Sequence, residues 1–170
     1  MGVDTRKAAR RELRLQSLAA VRDELGRIEA GGAAGTLTTT GNWTPGENVA
    51  HVGQFIGFSL DGFPERGRWW LRAVGALVKP IVLRSLRKGE IVKPGIKLNK
   101  QAAFLEPRAG TTLEDAIAMT RGYLDRVEAG ERFTQPSPLL GRLTHEQWAM
   151  MHCAHASMHW SFLWPEGSEA

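Results

Sequence analysis

What this chain lacks sets its first limits. It has a single cysteine, Cys153, in 170 residues, so no intrachain disulfide can form, and the composition suits a reducing cytoplasm. It also lacks an uncharged apolar run long enough to span a membrane. The most apolar stretch, Trp69 to Leu86, carries Arg72, Lys79 and Arg84 as well as Pro80. Each such charge costs about 2.5–3.5 kcal/mol at the centre of a bilayer, so no membrane partner is expected. The first residues, MGVDTRKAARRELRLQ, hold no apolar segment that could act as a signal peptide, and they do not fit the myristoylation pattern. There is no internal repeat, no low-complexity tract and no alternating strand pattern. Acid is scarce in one place. From Arg66 to Lys100 ten basic residues stand against one acid, Glu90. A solvated face explains this most simply, and a wall that attracts anions is the functional alternative.

What is present fits one compact domain over residues 1–170. Apolar content of 42% with 24% charged residues is enough to bury a core. The net charge of +4 and the pI of 9.6 suit a small, anionic substrate. Nucleic acid is disfavoured, because the basic residues lack interleaved aromatics and no helix-turn-helix pattern stands out.

Periodicity and punctuation give an all-α chain. A first helix is expected from about Thr5 to Glu29, with Leu18, Val21, Leu25 and Ile28 as its apolar stripe and Ala30-Gly31-Gly32 as its stop. A loop runs from Gly31 to Trp43. The second helix opens with Thr44 as N-cap, Pro45 in the first turn and Glu47 closing a capping box. Gly53 and Gly57 on it would admit a close neighbour, and Asp61-Gly62-Phe63-Pro64 ends it. A helix from about Gly67 to Leu86, broken or kinked at Pro80, precedes a long ordered loop. A third core helix follows from Leu113 to Glu128 behind Thr112. The last starts at Thr144, with Gln147 as capping-box partner, and runs to about Leu163 before Pro165. The expected fold is a helical bundle, with an extra helical and loop insertion between core helices 2 and 3.

The last helix carries His152, His155 and His159. At 100° per residue these lie within an arc of about 60°, and residues three or four apart are neighbours on a helix face. Its other residues include Trp148, Met151, Met158, Trp160 and Phe162, so the helix should be buried. Buried imidazoles need partners, since an unsatisfied polar group costs roughly 1–3 kcal/mol. A shared metal would satisfy them together. His51 is the natural third ligand, set mid-helix between Ala50 and Val52. Three nitrogens with an open position describe an exchangeable or catalytic site. Zinc is the default ion, and imidazole also suits nickel, iron and copper.

The other candidates are weaker. His152 could replace His155 as ligand, or sit at the rim as a proton carrier. His145 reads as a surface residue of the first turn, and Cys153 as a packed thiol. Glu47 and Asn48, one turn before His51, could orient the ligand or take a proton, although the capping box already explains Glu47.

Three stretches carry a family likeness: Gly41-Asn-Trp-Thr-Pro-Gly-Glu-Asn-Val-Ala-His51, Ser59-Leu-Asp-Gly-Phe-Pro64, and Gly141-Arg-Leu-Thr-His-Glu-Gln-Trp148 running into His155 and His159. The chain resembles the DinB/YfiT-like superfamily of bacterial four-helix-bundle proteins, read as metalloenzymes, and more closely an uncharacterised branch of it. The resemblance implies that His51, His155 and His159 bind a divalent metal, zinc or nickel. Many members have Gln three residues after the last histidine, where this chain has Phe162. Some use the metal to activate a low-molecular-weight thiol such as mycothiol or bacillithiol. The expected function is therefore a metal-dependent thiol transferase or hydrolase, with His152 as a catalytic candidate. The alternative is a non-catalytic, stress-associated metal module. A homodimer through the aromatic last helix is compatible with the pattern.

Overall fold

The computed structural model describes residues 2–65, 69–89 and 105–165, excepting the side chains of 69, 71 and 72. Five helices account for most of them: α1 (Leu18–Ala33), α2 (Pro45–Asp61), α3 (Trp69–Arg87), α4 (Leu113–Glu128) and α5 (His145–Trp160). Two short strands, β1 (Thr38–Thr39) and β2 (Leu163–Trp164), pair antiparallel with Thr38 opposite Trp164. α1, α2, α4 and α5 pack in a ring: α2 touches α4 and α5, and α1 touches the same two. Their shared core holds Val21, Leu25, Ile28, Val49, Val52, Ile56, Ile117, Leu124, Trp148 and Trp160. The helical insertion α3 lies outside the ring, mainly against α5. No described helix is long and apolar enough to cross a membrane.

The expected glycines make the closest seam. A Cβ on Gly53 would collide with Thr120 of α4, and one on Gly57 with the Tyr123 ring. Bare backbone at these two positions lets α2 and α4 pack tightly, despite glycine's cost of about 1 kcal/mol in a helix.

Helix boundaries differ from expectation at both ends of the chain. α1 begins at Leu18, not Thr5, because Ser17 caps it by accepting the Ala20 N–H. The preceding arm is held by tertiary bonds instead. Arg11 N donates to Ser161 O, and Leu15 N to the Ser157 hydroxyl. The Arg11 guanidinium reaches Glu24, which is only 2% exposed, and the carbonyls of Leu163 and Trp160. Nor does Gly31-Gly32 stop α1. The helix runs through both, since Pro165 and Leu113 pack where their side chains would be, and the turn falls at Gly35 with φ of 70°. α5 ends at Trp160, not Leu163, because Leu163 and Trp164 leave to pair with β1.

α3 continues through Pro80 without a break. The long ordered loop expected after it falls on residues 90–104, outside those described.

Candidate metal centre

Two well-capped helices set the site. Thr44 and Glu47 exchange both capping-box bonds at the start of α2, with Pro45 in its first turn. Thr144 and Gln147 do the same for α5. These caps fix where each helix begins and so which residues face across the α2–α5 seam. The seam is antiparallel and has three polar rungs. Asn48 Nδ2 donates to His159 O at 3.0 Å, His51 Nε2 lies 3.1 Å from His155 Nε2, and the Ser59 hydroxyl lies 2.8 Å from His152 Nε2.

The middle rung is the candidate site. Ligand-capable atoms of His51, His155 and His159 all lie within 4.8 Å of one another. Ring centroids are 4.8 Å apart for His51 and His155, 4.3 Å for His51 and His159, and 4.5 Å for His155 and His159. His51 is fixed from outside the seam, because its Nδ1 sits 2.6 Å from the carbonyl of Leu105. A carbonyl only accepts, so Nδ1 carries the proton and the lone pair on Nε2 points into the cluster. Trp43 stacks on His159 at 5.4 Å and 17° and lies 4.7 Å from His51. Phe55 closes the other side, 4.7 Å from His155. His51 is buried, while His155 and His159 keep partial exposure.

Burial holds these rings neutral. It pushes His51 down to about 4 and takes His155 and His159 well below the ordinary histidine range, with the neighbouring rings adding to the effect on both. Neutral imidazole is the form that donates to a metal. The buried Nδ1 of His155 has no hydrogen-bond partner among the described residues, and neither has the Nδ1 of His152 or the Nε1 of Trp160.

His152 is placed elsewhere. It is not at a rim but 1% exposed, bonded to Ser59 and walled by Phe55, Phe133 and Trp148. Burial takes it down to about 3. It neither replaces His155 in the cluster nor reaches solvent as a proton carrier would, which corrects both expectations.

The remaining candidates resolve in the same way. Glu47 spends its carboxylate on the Thr44 N–H and the Gly110 N–H. Asn48 steadies the His159 backbone and not a ring. His145 is half-buried, stacked on Phe133 and accepting the Phe133 N–H at 3.2 Å. Cys153 is a buried free thiol pushed up to about 11. Phe162 is buried beneath the Arg10 guanidinium and beside Gly41. Of the basic stretch, Lys79 is tied to the Arg142 carbonyl. Arg66, Arg68, Lys93, Lys97 and Lys100 lie outside the described residues, as does the Arg72 side chain.

Two contributors were missed from sequence. Trp43 could have been found, since it stands at the position before the Thr44 cap where an apolar residue packs back on the helix. The Leu105 carbonyl carries no side-chain signal.

A family model spans residues 7–166. The chain belongs to the DUF1569 family. Its members are described as proteins of unknown function. No curated protein and no solved structure matches the chain. The DUF1569 match covers α1 to β2 and so includes all three clustered histidines.

Proposed function

We propose that this DUF1569 protein binds one divalent metal ion, zinc or nickel, through His51, His155 and His159. We read it as a DinB-like metal-dependent enzyme that activates a small thiol or water for transfer or hydrolysis. The observation that carries this reading is the setting of His51, whose Nδ1 is tied to a backbone carbonyl while Nε2 faces a second imidazole. Metal-binding histidines characteristically donate their other N–H in this way.

The donor set passes a simple fit test. With zinc–nitrogen bonds of about 2.0–2.1 Å, two tetrahedral ligands stand roughly 3.3 Å apart. The His51 and His155 nitrogens are 3.1 Å apart, and the widest separation in the group, within 4.8 Å, closes by a ring movement of roughly 1–1.5 Å.

When bound, the ion would supply a Lewis acid that makes a thiol or water nucleophilic at neutral pH. The chain's own residues hold the geometry. The Leu105 carbonyl orients His51, Asn48 fixes the α5 backbone at His159, and Trp43 and Phe55 keep water from the ring faces. All three donors are neutral, which leaves the charge of the ion uncompensated and favours an anionic partner. That agrees with the basic pI of 9.6.

The test is turnover of metal-loaded, untagged protein on a panel of small thiols with electrophiles and of hydrolysable esters. Turnover that vanishes in a folded His51→Ala protein is the expected result. One bound ion without turnover on any substrate would favour the non-catalytic module, and no bound ion would sink both readings.

A further inference from the structure

α3 has a second exposed character that the site does not use. Its inner face meets the core through Leu83 and Leu86, with Val78 and Val82 beside them. Its outer face is apolar as well: Trp70 is 45% exposed, Val74 49%, Leu77 80% and Ile81 70%. At 100° per residue these four lie within an arc of about 60°. They are four of the six large apolar side chains left exposed among the described residues, and a fifth, Leu139, packs against the same helix at Gly75. Scattered surface apolars need no explanation, but a continuous stripe does.

Charge distinguishes the candidate occupants. α3 contains Arg72, Lys79, Arg84 and Arg87 and no acid at all. Arg84 and Arg87 are exposed in its last turns. A second copy of the chain meeting this stripe with its own would bring cations against cations. The stripe is also short, roughly 16 Å from Trp70 to Ile81, and offers less than the roughly 800 Å² per partner of a stable dimer. An anionic bilayer surface matches every feature. An amphipathic helix lies in the interface with Trp, Leu and Ile sunk toward the acyl chains and Lys or Arg at the headgroups. The charges of α3 exclude a span, but a helix lying on the membrane needs exposed cations such as Arg84 and Arg87.

We infer that the Trp70–Val74–Leu77–Ile81 face of α3, with Arg84 and Arg87, docks this protein reversibly on anionic lipid surfaces. Docking there leaves the histidine cluster on the α2–α5 seam and does not depend on its metal.

Vesicle flotation of the full chain tests this, using phosphatidylcholine alone and phosphatidylcholine with about 30% phosphatidylglycerol. The protein should float with the anionic vesicles and not with the neutral ones, and raising the salt should weaken binding. Leu77→Glu/Ile81→Glu should weaken it by at least about tenfold, and Arg84→Gln/Arg87→Gln should weaken it several-fold. Both variants alter exposed residues, so the circular dichroism spectrum, melting temperature and bound metal should stay those of the wild type. Failure to float with anionic vesicles overturns the inference, as does unchanged binding by the Leu77→Glu/Ile81→Glu protein. So does a concentration-dependent dimer, lost in that variant, in a protein that ignores vesicles. That outcome would assign the face to a second copy.

Discussion

His152 and His155 stand one turn apart on the same helix, and the fold gives them different surroundings. His152 is sealed at 1% exposure, held by the hydroxyl of Ser59 and packed among three aromatic rings. His155 meets two further imidazoles and keeps partial exposure, while each of the two histidines leaves its Nδ1 without a hydrogen-bond partner among the described residues. The residue across α2 makes the difference. Opposite His152 the antiparallel seam supplies a hydroxyl that can complete a hydrogen bond. Opposite His155 it supplies another nitrogen whose lone pair points inward. His152 thus has a hydroxyl across the seam for its Nε2, whereas His155 faces a second imidazole nitrogen in a group close enough to hold a metal ion.

Substitutions can break this contrast. The largest effect is expected at the cluster. His51→Ala, His155→Ala or His159→Ala should each weaken metal binding by at least about 100-fold, more than loss of an outer-sphere partner costs. His152→Ala should leave metal affinity within a few-fold and instead lower stability by about 2–4 kcal/mol. Calorimetric titration with metal and denaturant melts of the same four proteins would show the two effects separate.

A pH series sharpens the contrast next. His152 is held near 3 in the folded protein against an ordinary value of 6.5. The unfolded chain therefore takes up a proton that the folded one refuses. Stability should be level above about pH 6.5 and decline as the pH falls toward 3, by up to about 1.4 kcal/mol per unit from this group. His152→Leu should remove this group's share of the slope in metal-free protein and leave the share of His51, His155 and His159, which burial also lowers. Metal affinity should change little from pH 7 to about 5, because burial takes His51 down to about 4, so protons compete only in stronger acid.

Smaller effects belong to the supporting residues. Trp43→Ala should weaken metal binding by roughly three- to tenfold with little loss of stability, as expected for a ring that packs against ligands without donating to the ion. Ser59→Ala should cost about 1 kcal/mol and leave metal affinity unchanged.

The parts of this arrangement visible in the sequence were those encoded locally. Thr44-Pro45 with Glu47, and Thr144 with Gln147, announced the starts of α2 and α5, and the structure holds both capping boxes. Once those registers are set, the spacing of His155 and His159 and the mid-helix place of His51 suffice to nominate a cluster. Tertiary packing decided the rest. Gly31 and Gly32 resemble a helix stop, yet they lie inside α1 because Pro165 and Leu113 need the space. The arm before Ser17 has helical composition but gives the N–H groups of Arg11 and Leu15 to Ser161 and Ser157. His152 looked equivalent to His155 because helical periodicity cannot show which hydroxyl waits across a seam. The carbonyl that orients His51 belongs to Leu105, fifty-four residues away, and no side chain advertises it.

X-ray absorption at the metal edge, on protein purified without a histidine tag, addresses the central claim most directly. Three imidazole nitrogens at about 2.0–2.1 Å from one ion, reduced to two in His51→Ala, is the predicted result. A metal-free protein, or a bound ion whose shell is the same in wild type and His51→Ala, would contradict it.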